Sequence, residues 1–556
     1  MKQTTLYPIK LTTFFSILFI IILGLFVYSS SINGKFIWDD NNLIVHNHDI
    51  KTFNTIPNIL QSSLASSLGK IYKSYRPLQI ISYTLDHKVW KYNPLGYHVS
   101  NTLLHILVSL MVYWLVRLLF DDWLISFLSA SIYVGLPIHT EAVSYISGRA
   151  DILAALFILL SFIFYIKYDR KQKILFYLIS IISYSFALLS KENVIIFPLL
   201  LLIYSFVFVR PVKKKLLYAV SFLSIGYIIL RLTILKFDAP STDFYTYTSL
   251  WQRLPGIFIA IAHYIKLLIF PFDLHMEYSK SIFYFSNPLF WLGLVFSILI
   301  IYYAWINKSK NKIIIFSIAW FYICLLPHLN LYPINAYMAE HWLYLPAIGF
   351  AIVLGYYLSI LWHNQKIRSL SFLISLLIIL SYALISFRQN EYWANPVVFC
   401  KRTLIYSPQN YKIYSLLGNA YVKEKEYDKA IATCKKSIEI NPSFPYSYFH
   451  LGLVYMDLRE YEEAIKYFQT AITKNPEFLN AYNNLAVCYF KKGDVDIAIE
   501  TSKQITKMNP QYARAYYNLV IFYSEKGEKG EADKYERELE KLGHSMAEFT
   551  FEVNAE

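Results

Sequence analysis

The chain has 556 residues, 56 % of them hydrophobic and only 16 % charged, which is too apolar for an ordinary soluble domain. Its net charge of +14 would suit a nucleic-acid binder, yet much of the basic excess sits in short loops between apolar runs. No nucleic-acid-binding motif is found. The four cysteines, Cys324, Cys400, Cys434 and Cys488, lack metal-ligand or paired spacing, which argues against a zinc site or a disulfide framework.

The first apolar run, Leu11 to Ser30, is long enough to cross a bilayer. It predicts an uncleaved anchor rather than a signal peptide, although Ser29-Ser30-Ser31 offers small residues for cleavage. Just beyond it Trp38-Asp39-Asp40 lies in a large loop, 31–98. Further apolar runs fall near 99–120, 123–138, 149–168, 174–190, 193–209, 216–234, 253–271, 286–306, 313–330, 343–362 and 369–387.

Basic clusters mark the cytoplasmic loops by the positive-inside rule. They are Lys167, Arg170, Lys171 and Lys173; Arg210 and Lys213 to Lys215; Lys308, Lys310 and Lys312; Lys366 and Arg368. All fall on one side if 253–271 re-enters the membrane or lies at its interface. Pro255, Gly256, His263, Lys266 and the terminal Pro271 suit that reading. The expectation is about eleven spans plus this segment, a cytoplasmic N-terminus, and an extracytoplasmic C-terminal region.

After the last run the chain turns charged and Tyr-rich. Residues 389–410 read as a connecting half-repeat. Asn-Pro or Ser-Pro pairs then recur at Pro408, Pro442, Pro476 and Pro510, a 34-residue period in phase with Tyr414, Leu417, Gly418, Tyr421 and Ala430 and their later counterparts. This is the tetratricopeptide pattern, and it predicts four repeats over 411–546 before a tail, 547–556. Such a solenoid offers a groove for an extended peptide or partner, or serves as a scaffold alone. The expected fold class is all-α, a polytopic membrane domain over 1–388 followed by an α-solenoid.

Polar side chains are costly in hydrocarbon, and here they gather at the outer ends of the spans. They include Asp39 and Asp40; Arg76; His98, Asn101 and His105 on one helical face; His139 and Glu141; Arg149 and Asp151; Lys191; His275, Glu277 and Tyr278; and Glu340-His341-Trp342. An Asp-Asp pair just outside a span suits a general base, but equally a loop turn or helix cap. The histidines stand on separate segments, which favours hydrogen bonds to substrate or backbone over metal ligation. No obligatory metal is expected.

Several strings together resemble the transmembrane and tetratricopeptide repeat-containing O-mannosyltransferases of the GT-C glycosyltransferase superfamily. They are Phe36-Ile37-Trp38-Asp39-Asp40, Tyr75-Arg76-Pro77-Leu78, Gly96-Tyr97-His98 with Asn101 and His105, His139-Thr140-Glu141-Ala142-Val143, Gly148-Arg149-Ala150-Asp151, Ser190-Lys191-Glu192 and Leu343-Tyr344-Leu345-Pro346. The likeness runs from about residue 12 through the repeats. In one departure, an Arg expected before Leu343 is replaced by His341-Trp342, which weakens the expectation that this segment binds phosphate.

The resemblance implies a GT-C-type membrane domain and an inverting glycosyltransferase. Such an enzyme moves a sugar from a polyprenyl-phosphate carrier to an acceptor hydroxyl, a protein Ser or Thr, on the extracytoplasmic face. It implies Asp39 or Asp40 as the base, with the sequence leaving open which. Arg76, Arg149 and Lys191 would hold the donor phosphate. His98, Asn101, His139, Glu141 and Asp151 would meet substrate, although Glu141 and Asp151 are equally suited to pairing with Arg149. The implied partners are the lipid-linked sugar donor, an acceptor protein or peptide in the repeat groove, and membrane lipids, with no cofactor and no nucleic acid. The alternatives are a non-catalytic membrane scaffold for an envelope complex and, less supported, a transporter, for which no inverted repeat is seen.

Overall fold

The computed structural model describes residues 6–64, 74–235, 248–278, 282–308, 311–334 and 336–548. Lys310 and most of the predicted tail lie outside them. The chain divides into two compact units, Met1–Asn395 and Pro396–Glu556. All regular structure among the described residues is helical.

The first unit contains α1 (Leu6–Tyr28), α2 (Ile56–Gln61), α3 (Pro77–Trp90), α4 (Pro94–Phe120), α5 (Trp123–Gly135), α6 (Thr140–Val143), α7 (Arg149–Lys171), α8 (Ile174–Ser190), α9 (Phe197–Phe208), α10 (Lys214–Leu232), α11 (Leu250–Ile269), α12 (Pro288–Ile306), α13 (Lys312–Leu325), α14 (Ala347–His363) and α15 (Arg368–Ala394). Apolar runs become helices here because helices satisfy their own backbone groups without water. Local signals set several starts. Asn93, Asp122, Asn287 and Asn311 each accept a backbone N–H at a helix N-terminus, and Pro94 and Pro288 occupy first-turn positions.

Seven helical segments are long and apolar enough to cross a membrane, and an eighth is added if the pair Trp123–Gly135 and Pro137–Val143, bent by 51°, counts as one. Four further expected spans are shorter apolar helices: Ile174–Ser190, Glu192–Phe208, Lys312–His328 and Ala347–His363. Short helical turns at Glu192–Ile196, Leu326–His328 and Glu340–Leu343 lie at the ends of these shorter helices.

The segment expected to re-enter or lie at the interface forms one continuous helix, α11. Ser249 and Gln252 form a capping box at its start, and Pro255 is accommodated inside it. By length and composition it could span. Arg253 donates to the carbonyls of Asn330 and Leu331, and the Tyr264 hydroxyl is bonded to the Ala339 backbone. Both partners belong to the one loop between α13 and α14.

The core of the unit is built around α7, whose span is 78 % buried. At one end of the bundle, distant segments are tied by polar bonds. Asn390 donates to the Val27 carbonyl (2.7 Å) and accepts from Ser144 (2.6 Å), while Ser30 donates to Phe387 O (2.8 Å). At the other end of α7, Asp169 lies 3.4 Å from Lys213 and 4.0 Å from Arg210, among the basic loops.

The second unit opens with α16 (Pro396–Tyr406), followed by four helix pairs: α17 (Tyr411–Lys423) and α18 (Tyr427–Ile440), α19 (Pro445–Asp457) and α20 (Tyr461–Lys474), α21 (Leu479–Lys492) and α22 (Val495–Met508), α23 (Ala513–Glu525) and α24 (Lys529–Lys541). The paired helices approach closely because the repeat demands small residues: a Cβ on Gly452 would meet the Phe468 ring at 2.6 Å. The units divide after Asn395, later than expected from hydropathy. The reason is that α15 runs past its apolar stretch to Ala394, burying Gln389, Asn390 and Trp393 in the first unit.

Candidate active site

The two adjacent aspartates have separate surroundings. Asp40 is fully buried and accepts three bonds, from the Ile37 N–H (3.1 Å), the Ser147 N–H (2.8 Å) and the Ser147 hydroxyl (2.5 Å). Asp39 is only half-buried, and its N–H donates to the Tyr145 hydroxyl at 3.2 Å. Between them and α1, Trp38 adopts a left-handed backbone, φ +49°. For so bulky a residue this costs about 1–3 kcal/mol and persists only where neighbours enforce it. Asp40 supplies that enforcement by binding Ile37 on one side and the 146–148 turn on the other. Burial pushes the Asp40 carboxyl up to about 7, against the pull of the Ser147 and Ile37 hydrogen bonds.

The 146–148 turn is a precise fitting. A Cβ at Gly148 would sit 2.5 Å from the Ala142 carbonyl oxygen, so only glycine lets the turn close onto α6. The Ser147 carbonyl accepts from Gln79 Nε2 (2.8 Å), and the Gln79 N–H in turn donates to Arg76 O (3.1 Å). One chain of hydrogen bonds thus connects Asp40 to the segment carrying Arg76.

Arg149 is enclosed by protein acceptors. It is 1 % exposed, and every guanidinium nitrogen faces an acceptor: Nε the Asn101 side chain (2.6 Å), Nη1 the Ser82 hydroxyl and carbonyl, and Nη2 the Asp86 carboxylate (2.6 Å) and Tyr97 carbonyl. Tyr83 stacks against it at 4.7 Å. Bound to side chains and carbonyls of α3 and α4, Arg149 ties these two helices to α7.

Arg76 and Lys191 stand differently. The Arg76 guanidinium grips Glu192 at 3.0 and 3.4 Å with its side chain 19 % exposed. Lys191 Nζ sits 2.7 Å from both oxygens of Asp151. The Lys191 ammonium is lowered by burial, which Asp151 partly offsets. These four charges form one cluster where α3 begins and α8 ends.

Glu141 and Asp151 do not pair with Arg149. Asp151 takes Lys191, and Glu141 accepts from both the backbone N–H and Nδ1 of His341, each at 2.8 Å. Beside them Glu340, also buried, accepts from the Tyr278 hydroxyl (2.8 Å) and the His275 N–H. His328 stacks on Trp342 (5.0 Å, 11°) and meets Asn193, next to Glu192, at 3.2 Å. The His341 pair and the cation cluster are therefore neighbours.

His98, Asn101 and His139 lie inside the bundle. Asn101 donates to Val143 O and Ile146 O while receiving Arg149. His139 meets Tyr133 O at 2.9 Å within a ring cluster that includes His105 and Tyr344, and His98 rests on Gly34. All three are buried. Ser147, Tyr145 and Asp86 were missed by sequence reasoning. Ser147 and Tyr145 flank a recognised motif, which was a usable signal, whereas nothing local marks Asp86. Among the described residues no group of three or more His, Cys, Asp or Glu is arranged for a metal ion.

Comparison with known proteins fits this picture. The model of the dolichyl-phosphate-mannose-protein mannosyltransferase family matches residues 87–233, and two tetratricopeptide models match 418–459 and 455–520. A Caenorhabditis elegans protein O-mannosyl-transferase is 28 % identical over 75 % of this chain and 62 % of its own. A Mus musculus protein O-mannosyl-transferase is 22 % identical over 73 % of this chain and 49 % of its own. A Homo sapiens protein O-mannosyl-transferase reaches 36 % identity over 26 % of this chain and 18 % of its own. Among solved structures, that of MamA is 26 % identical over 29 % of this chain and 94 % of its own, with a TM-score of 0.26. The chain spans 62 % of the first of these relatives and 49 % of the second. Residues 87–233 are thus similar to a mannosyltransferase family and 418–520 to tetratricopeptide repeats, the combination that its motifs resemble.

Proposed function

We propose that this protein is an inverting membrane glycosyltransferase that moves a sugar from a polyprenyl-phosphate carrier to the hydroxyl of a protein Ser or Thr. The observation that carries this reading is the division of labour between the aspartates. Asp40 spends both oxygens on the loop and the 146–148 turn, so Asp39 is the half-exposed carboxylate held in place beside it.

In the reaction, the acceptor hydroxyl gives its proton to the Asp39 carboxylate as its oxygen bonds to the anomeric carbon. The bond from that carbon to the phosphate oxygen breaks on the opposite face, and its electron pair leaves with the phosphate. A single displacement inverts the centre. Arg76 and Lys191 supply the fixed positive charge that a departing phosphate needs. The site end of α7 lies opposite its basic end at Arg170 and Lys171, which supports an extracytoplasmic site under the positive-inside rule. The repeats are suited to presenting the acceptor chain.

The test is transfer by purified protein in lipid from a panel of polyprenyl-phosphate sugars to acceptor proteins, with Asp39→Asn and Asp40→Asn alongside. Asp39→Asn is expected to lower transfer about 10²–10⁴-fold with thermal unfolding unchanged. Wild-type rates in Asp39→Asn would remove the base. Silence from the wild type, with donors and acceptors verified, would leave the membrane scaffold as the better reading.

A further inference from the structure

The Asp40 N–H donates to the Ile37 carbonyl at 3.0 Å, closing a four-residue turn whose central peptide joins Trp38 to Asp39. A central peptide takes no part in the hydrogen bond that closes its turn, so its rotation is set by other groups. Here the Tyr145 hydroxyl accepts its N–H, that of Asp39, at 3.2 Å. Because a peptide unit is planar, holding this N–H fixes ψ of Trp38 and φ of Asp39 together, and with them the direction in which the Asp39 side chain leaves the backbone. Trp38 enters that plane from its left-handed φ of +49°, a conformation that persists only while neighbours enforce it.

Tyr145 is itself held from the far end of the membrane unit. Its ring stacks on Trp393, with centroids 5.6 Å apart and planes at 21°, and both side chains are buried. Trp393 belongs to the last turn of α15, and that end of the helix is fastened to the segments on either side of the stack. The Ser30 hydroxyl donates to Phe387 O (2.8 Å), and Asn390 bonds to Val27 O (2.7 Å) and to the hydroxyl of Ser144, the neighbour of Tyr145 (2.6 Å). The Lys35 N–H, four residues before Asp39, donates to Ala394 O (3.1 Å). The end of α15 thus registers the aspartate loop and the Tyr145 segment against each other.

We infer that the end of α15 aims the Asp39 carboxylate, Trp393 by stacking on Tyr145 and Tyr145 by taking the Asp39 N–H. This rests on the glycosyltransferase reading above and deepens it. Tyr145 and Trp393 are positioning residues, since both act through Asp39. A base that is misdirected slows proton transfer from the acceptor while leaving the donor's phosphate on its own cations, so the loss belongs in kcat.

The test uses the full chain in lipid nanodiscs, with the donor panel and acceptor proteins already described. Tyr145→Phe keeps the ring on Trp393 and removes only the hydroxyl. It should lower kcat about 10–100-fold, leave the donor KM and thermal unfolding as in wild type, and speed hydrogen exchange at the Asp39 amide. In the Asp39→Asn background the same change should cost nothing further, because the group it aims is already gone. Trp393→Leu should lower kcat in the same way, and Trp393→Phe, which keeps a ring to stack, should recover most of it.

Wild-type kcat and amide exchange in Tyr145→Phe would overturn the inference. So would an equal fold loss from Tyr145→Phe with and without Asp39, since the hydroxyl would then serve the fold and not the base. Wild-type kcat in Trp393→Leu would overturn the part assigned to α15. Each of these leaves the glycosyltransferase reading standing, whereas a wild type that transfers from no donor would remove that reading and the inference together.

Discussion

The two ends of α7 use the same residue types to opposite effect. At its N-terminal end Arg149 is sealed among Asp86, Asn101 and two tyrosines, and Asp151 two residues on is locked to Lys191. At its C-terminal end Arg210 reaches Asp169 only at 4.0 Å, with its side chain half exposed. A basic residue in the sequence therefore carries no fixed meaning. What distinguishes a structural cation, a site cation and a topological cation is how many acceptors surround it and how much water reaches it.

The largest effect should come from the sealed end. Arg149→Met leaves Asp86 buried beside lost donors and is expected to destabilise the membrane unit by about 3–5 kcal/mol. Arg76→Met, with its partner Glu192 nearly half exposed, should cost under about 1 kcal/mol. Unfolding in detergent measures both, and Asp86→Asn in the Arg149→Met background should recover part of the loss. Equal costs for Arg149→Met and Arg76→Met would break the distinction.

The second effect is a pH dependence. The Asp40 carboxyl is raised in the folded state to about 7, so its contribution to stability is present near pH 4 and is lost as pH rises towards 7. Thermal unfolding of wild type should thus fall from pH 5 to pH 7.5 more steeply than that of Asp40→Asn. Parallel slopes would show that burial does not govern Asp40.

In the repeat unit the constraint is steric. Gly452→Ala places a methyl against the Phe468 ring and should cost about 1–3 kcal/mol, seen as a lowered repeat-unit transition, with lipid-phosphate binding unchanged. At the bottom of the scale, Arg210→Gln should leave transfer as it is and shift stability by under about 0.5 kcal/mol. A large loss of transfer there would mean that the basic end reaches the chemistry.

Much of this protein was legible before any coordinates. The 34-residue period names the repeats outright, because each repeat is a local unit whose small and aromatic positions face the next copy. Apolar runs with basic loops give the membrane helices, because a span needs only length and low charge. The clustering of Asp39, Arg76, Glu141, Arg149, Asp151 and Lys191 at span ends was also visible, since polar groups there stand out against hydrocarbon.

Roles within that cluster were not visible, because they depend on partners far away in the chain. Asp40 meets Ser147, Arg149 meets Asp86 and Asn101, and Glu141 meets His341 two hundred residues on. Nor does hydropathy reveal where α11 is fastened, since composition records how apolar a helix is and not which loop its Arg253 and Tyr264 bind. The sequence by itself determined the membrane helices, the repeats and the residues available for chemistry. Tertiary structure alone decided which charges are sealed, as at Arg149 and Lys191, and which stay partly exposed, as at Arg76, because desolvation and hydrogen bonding are properties of neighbours in space.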